Sequence, residues 1–378
     1  MSLRVIRLPL FLALALVGWA CNCGGGGPGG PSVPAPTPHI TLHGWYITQA
    51  IQKLDRSVPL VAGREGVLRV FLTANSPNQA APAVRVTLTG GAHAPWQRTI
   101  AAPGATVPTE CHEDQMNSSR NLPIPGDVLA PNAHIQLEVD PGGGAAGIAP
   151  AARNVQSALT VHRVPIIRIT LVPVLQSGLT GEVESGGRTR NAWVARFRAM
   201  YPVSRIDLRV DPNPLRTTAN LNHHANADHD WVQLLGELKA LRLSRGEAGR
   251  YYYGVVKRSN GQGTVGDTPV AGQEAAGWDD LAGYQDTFAH EMGHALGRNH
   301  APCGVAVYGH DTGWPADAAH AGAALGAVGL DVATLTVKPS PQFKDIMGYC
   351  PPYWVSDTTY TGIMRWQETA GVSLDYED

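Results

Sequence analysis

The sequence predicts a multidomain protein in which an N-terminal all-β sandwich precedes an α/β domain built on a mixed sheet. Its 378 residues suffice for two ordinary domains, and 43 glycines and 29 prolines favour strands, turns and loops over a helical bundle. The apolar pattern also changes near Val164, from short alternating runs to strands separated by helical periods. Charged residues make up only 16% of the chain, the formal net charge is -2, and no lysine or arginine block stands out. That excludes the electrostatic footprint of a nucleic-acid binder.

The elements follow in chain order. Residues 1–20 have the form of an export signal: Arg4 and Arg7, an apolar run from Leu8 to Val17, and small residues around Ala20. At about 1.5 Å per residue the run covers only about half of a roughly 30 Å hydrocarbon core, which predicts cleavage rather than a spanning helix. Cys21 and the Gly/Pro-rich tether of residues 21–38 resemble the lipid-attachment site of bacterial lipoproteins. The resemblance implies an exported, cell-surface or outer-membrane lipoprotein acylated on Cys21. Gly18 stands where that pattern has a leucine-like residue, and secretion without an anchor is the alternative.

Residues 39–163 read as short strands broken by Gly, Pro and Asn clusters: Val67 to Leu72, Val84 to Leu88, Ile135 to Val139 and Ala158 to Val161. Strands at this spacing predict a sandwich of immunoglobulin-like type. Residues 164–378 alternate strands with helices. The expected order is a strand from Ile166 to Val172, a helix from Ala192 to Tyr201 ended by Pro202, and a strand from Ile206 to Val210. A helix follows whose one face carries Trp231, Leu234, Leu235, Leu238 and Leu241, capped by Asp228 or Asp230. A strand from Tyr251 to Lys257 completes the series.

The chemistry concentrates in the eleven residues from His290 to His300. His290 and His294 are four apart on a predicted helix, so their imidazoles share one face and meet one ion. Gly297 lets the chain leave the helix in a left-handed conformation, and His300 swings back as third ligand. Three histidines leave a tetrahedral zinc one open position for water, and Glu291 is the expected base that activates that water. A chance match to this pattern is on the order of 1 in 10,000. A structural zinc would be closed by a fourth protein ligand and has no use for the glutamate.

This extended motif resembles that of the metzincin clan of zinc endopeptidases. The resemblance covers roughly residues 164–378 and implies one catalytic Zn2+, a peptidase fold, and a methionine turn beneath the metal. Asp345-Ile346-Met347-Gly348-Tyr349 is similar to that turn, which implies a structural floor at Met347 and a transition-state donor at Tyr349. It also implies an edge strand that holds substrate, either Tyr251 to Lys257 or the segment through Val265. Cys303 lies three residues after His300 and Cys350 three after Met347, so both flank the site and a bridge between them is the expected pairing. Cys23 and Cys111 are left over, and Cys111 lies in no latency motif.

Two further clusters carry less. His223, His224, Asp228 and His229 read as a solvated loop rather than an accessory metal site, because no spacing fixes a geometry. His310, Asp311, Asp317 and His320 lie in a loop that reads as specificity-determining or calcium-binding (Ca2+), although no EF-hand run is present. The expected protein is a monomeric endopeptidase acting on a protein or glycoprotein, in contact with a membrane at most through its N-terminal lipid. The alternatives are an adhesion protein that keeps a non-catalytic peptidase fold, and a hydrolase of non-peptide amides. An intact Glu291 argues against the first.

Overall fold

The computed structural model describes residues 37–90, 95–222, 227–259, 264–305 and 309–369. The signal peptide, Cys21, Cys23, nearly all of the tether, His223, His224 and the side chain of Asp228 lie outside the described residues. The described residues from Pro38 onward form one compact unit.

Alternation sets the N-terminal strands. Within Val84–Thr89 the buried residues are Val84, Val86 and Leu88, and within His134–Val139 they are Ile135, Leu137 and Val139. These strands pair antiparallel inside a four-stranded sheet completed by Trp96–Ile100 and Val155–Ala158. A three-stranded antiparallel sheet of Ile40–Thr48, Gly66–Ala74 and Arg120–Ile124 contributes Leu68, Val70 and Leu72 to the same core. The N-terminal part is thus an all-β sandwich. Its expected last strand from Ala158 to Val161 breaks, and Val161–His162 pairs instead with Leu60–Val61.

The C-terminal part carries the mixed sheet. Ile167–Gln176 is central, with Ile206–Val210 parallel on one side and Tyr251–Val256 parallel on the other. Glu274–Trp278 follows in parallel, and the short strand Gly266–Asp267 closes the sheet antiparallel at its edge. Tyr251–Val256 is therefore interior and buried along its whole length, which removes it as a substrate edge and leaves the segment through Val265. The helix expected from Ala192 to Tyr201 is two pieces, Arg190–Trp193 and Ala195–Met200, because Val194 sits at φ -93°, ψ 0°. Tyr201 is extended, as a residue before proline must be. The amphipathic helix is Ala227–Ser244. Asp230 thus lies inside the helix, and the capping expected of Asp228 falls on a side chain outside the described residues.

The motif helix, Tyr284–Ala295, is held by aromatic packing. Trp193 meets Tyr284 at 4.7 Å between ring centroids, and Phe288 meets Tyr253 at 4.6 Å and Phe197 at 5.9 Å. An excursion of the N-terminal part enters this core: Ala50, Ile51, Val58 and Val61 pack with Leu325 and Trp354. Ile51–Gln52 pairs with Val328–Asp331, and Trp354 Nε1 donates to Ala50 O at 2.8 Å. Arg64, buried, donates to the carbonyls of Gln49, Arg198, Ala199 and Tyr201, so one guanidinium satisfies the C-terminal end of the helix Ala195–Met200. The expected division between residues 163 and 164 leaves this excursion on its N-terminal side, although its side chains belong to the C-terminal core.

Candidate metal centre

The helix places His290 and His294 one turn apart, and the chain turns back after it. Gly297 has φ 78°, and a Cβ there would lie 2.3 Å from Trp366 Cδ1, so glycine is required both by conformation and by space. The return brings His300 to the other two. His294 Nε2 lies 3.2 Å from His290 Nε2 and 3.1 Å from His300 Nε2. Among the described residues these three histidines are the one group of three or more potential metal ligands that converge.

The tautomers follow from the other ring nitrogens. His290 Nδ1 donates to Ile346 O and His294 Nδ1 to Arg298 O, each at 2.7 Å, and His300 has a backbone hydrogen bond at Gly309. With Nδ1 protonated, each Nε2 presents a lone pair, and lone pairs this close repel unless a cation lies between them. Burial reinforces neutrality, lowering the pKa of His290 to about 4 and of His294 to about 3. Tetrahedral zinc with bonds of 2.0–2.1 Å separates its nitrogens by about 3.3 Å, so this donor set fits that ion.

Glu291 is buried beside them. Burial raises its pKa to about 8, the nearby Thr268 working against the rise and Asp267 adding to it. A Cβ on Gly266 would lie 2.5 Å from Glu291 Oε1, so the edge strand passes directly over the carboxylate because residue 266 has no side chain. His290, Glu291, Val265, Gly266, Tyr349 and Tyr353 are among the residues lining a cleft of about 470 Å³.

Met347 is fully buried under the helix. A Cβ on Gly293 would fall 2.3 Å from its Sδ, and Tyr201 OH lies 3.4 Å from the same sulfur while donating to Ala289 O at 2.9 Å. Tyr349, about half exposed, donates its hydroxyl to His300 Nε2 at 2.9 Å. Cys303 and Cys350 form a disulfide, and backbone bonds Ala301 N to Met347 O and Tyr349 N to Cys303 O run beside it. Cys111 is a free thiol.

Residues outside the motif complete the frame. Arg298 forms an ion pair with Asp311, whose N–H donates to His300 O at 2.7 Å. Asp317 and Asp357 hold the two ring nitrogens of His320 at 2.7 and 2.8 Å, and His310 Nε2 lies 3.1 Å from Val305 O. Of the four residues of the 310–320 loop, Asp317 and His320 thus pair with each other while His310 and Asp311 are engaged elsewhere, and they form no converging group of metal ligands among the described residues. Asp345, fully buried, accepts from Met347 N and Ser356 N, each at 2.8 Å. Sequence reasoning included Asp345 in the turn without a role. Its position two before the methionine was the available signal, since aspartate there can cap the turn.

No curated protein matches the sequence. Likenesses among solved structures are slight. A CARDB domain from Pyrococcus furiosus, in complex with di-metal ions, is 10% identical at TM-score 0.21, covering 35% of this chain and 94% of that one. A chaperone–substrate complex is 12% identical at TM-score 0.32 and covers 66% of this chain and 43% of that chain. A cycloisomaltooligosaccharide glucanotransferase from Paenibacillus is 8% identical at TM-score 0.21, covering 58% and 28%. The chain thus spans less than half the length of the last two, and at these scores the likenesses carry no argument. Residues 211–301, a stretch that includes all three histidines and Glu291, match the family of Reprolysin-like metallopeptidases, M12B.

Proposed function

We propose that this protein is a zinc-dependent endopeptidase of metzincin type that hydrolyses peptide bonds of extracellular protein substrates. The observation that carries the reading is the convergence of three unprotonated Nε2 atoms beside a buried carboxylate in an open cleft. His290, His294 and His300 would hold the ion, which when bound supplies Lewis acidity that lowers the pKa of water and polarises a carbonyl. Glu291 accepts the proton of the attacking water and returns it to the leaving amine. Burial alone keeps its carboxyl protonated at neutral pH, so the base needs a positive charge as neighbour, which the histidine site would hold. The edge strand Gly266–Asp267 aligns an extended substrate by main-chain hydrogen bonds, and the Tyr349 hydroxyl donates to the developing oxyanion. Export and acylation at Cys21 are supported by the first residues of the sequence alone.

Glu291→Ala tests the reading. Zinc content, measured by elemental analysis, stays at the wild-type level while proteolysis falls by about 10²–10⁴-fold. Undiminished cleavage by this variant overturns the mechanism.

A further inference from the structure

One peptide group lies between a buried carboxylate and a metal ligand. The Ile346–Met347 amide donates its N–H to Asp345 Oδ1 at 2.8 Å, and its C=O accepts from His290 Nδ1 at 2.7 Å. The second oxygen, Asp345 Oδ2, accepts from Ser356 N at 2.8 Å. Both oxygens thus accept backbone N–H groups; full burial raises the pKa of this carboxyl, and these hydrogen bonds work against that rise. His294 differs. Its Nδ1 goes to Arg298 O, and no carboxylate stands behind that peptide among the described hydrogen bonds.

We propose that Asp345 is a positioning residue for His290, acting through the Ile346–Met347 peptide as the remote carboxylate of a carboxylate–peptide–histidine–metal relay. Two physical effects follow. The hydrogen bond to Met347 N fixes where the Ile346 carbonyl points, and that carbonyl fixes the plane and tautomer of the imidazole. When Asp345 is ionised, its charge on the N–H side also polarises the amide, making its carbonyl a stronger acceptor and Nε2 a better donor to a metal. Carboxylates that touch a ligating histidine directly do the same; here a single amide is interposed. The inference rests on the metallopeptidase reading, because it assigns His290 to a metal.

Asp345→Asn tests it by two measurements that need no turnover. The first is zinc affinity, by competition with a chromophoric chelator, expected to weaken by roughly 10-fold or more. The second is the Nδ1–H proton resonance of each ligand histidine in the zinc-loaded protein. That of His290 is expected to move upfield while that of His294 stays in place. Should the asparagine variant fold poorly, Asp345→Ser removes the charge while offering an oxygen to Met347 N–H, and the same two readouts apply. Unchanged affinity, or resonances of His290 and His294 that move equally, overturns the relay. Wild-type protein that takes up no zinc overturns the metallopeptidase reading and the relay with it, whereas zinc uptake indifferent to Asp345 overturns the relay alone.

Discussion

At Gly293 the helix that carries His290 and His294 has no room for a single methyl group. An added Cβ would lie 2.3 Å from Met347 Sδ and 2.6 Å from Tyr201 Oη, in a fully buried contact. Gly293→Ala is expected to cost about 1–3 kcal/mol in denaturant unfolding, as overpacking does, and to loosen zinc retention by pushing the turn from the helix. A variant as stable as wild type would show that the turn yields freely. Tyr349→Phe removes the hydroxyl at the rim without disturbing a buried group, so zinc content holds while turnover falls by about 10²–10³-fold. Equal loss of zinc and turnover would mark Tyr349 as structural. His290, Glu291, His294 and His300 were legible as a group because their relation is local, set by one helical turn and one glycine. Tyr201 was not, since its contacts with Ala289 and Met347 lie 88 and 146 residues away.

Among the elements, the return from the third ligand to the methionine turn is the most heavily braced. The Cys303–Cys350 bridge spans a sequence separation of 47. The chain-entropy account of such a loop gives about 4 kcal/mol. Replacing both cysteines by serine is expected to lower the melting temperature and speed zinc loss, and an unchanged melt would make the bridge redundant with the backbone bonds beside it. His320 anchors the intervening loop. Burial opposes its charge, but Asp317 and Asp357 outweigh that and raise its pKa. The stabilisation is therefore full below the unfolded value of about 6.5 and fades as pH rises through the raised folded value. Melting curves of His320→Gln should fall below wild type at acid pH and converge with it at alkaline pH; a constant gap refutes the ion pair as its source. Strand periodicity identified Tyr251–Val256 correctly but not its place, because an interior and an edge strand differ only in what pairs with them.

For the whole molecule, the excursion between Gln49 and Arg64 makes the N-terminal part a structural component of the C-terminal core. Arg64→Ala leaves the carbonyls of Arg198, Ala199 and Tyr201 without their buried donor and is expected to destabilise by several times about 1 kcal/mol. A fragment of residues 164–378 alone should lack cooperative unfolding, as circular dichroism against temperature would record; a sharp transition would make the excursion dispensable. The sequence by itself determined the all-β character of the first part, the alternating strands and helices of the second, and the histidines with their glutamate. Each of these is written in short-range periodicity or spacing. Only the tertiary structure decided that Ala50 and Trp354 share a core, that Gly266–Asp267 rather than Tyr251–Val256 forms the sheet edge beside the carboxylate, and that Asp345 stands behind His290 through one peptide. Those relations join positions far apart in the chain, and a buried polar group shows its partner only once the chain has closed around it.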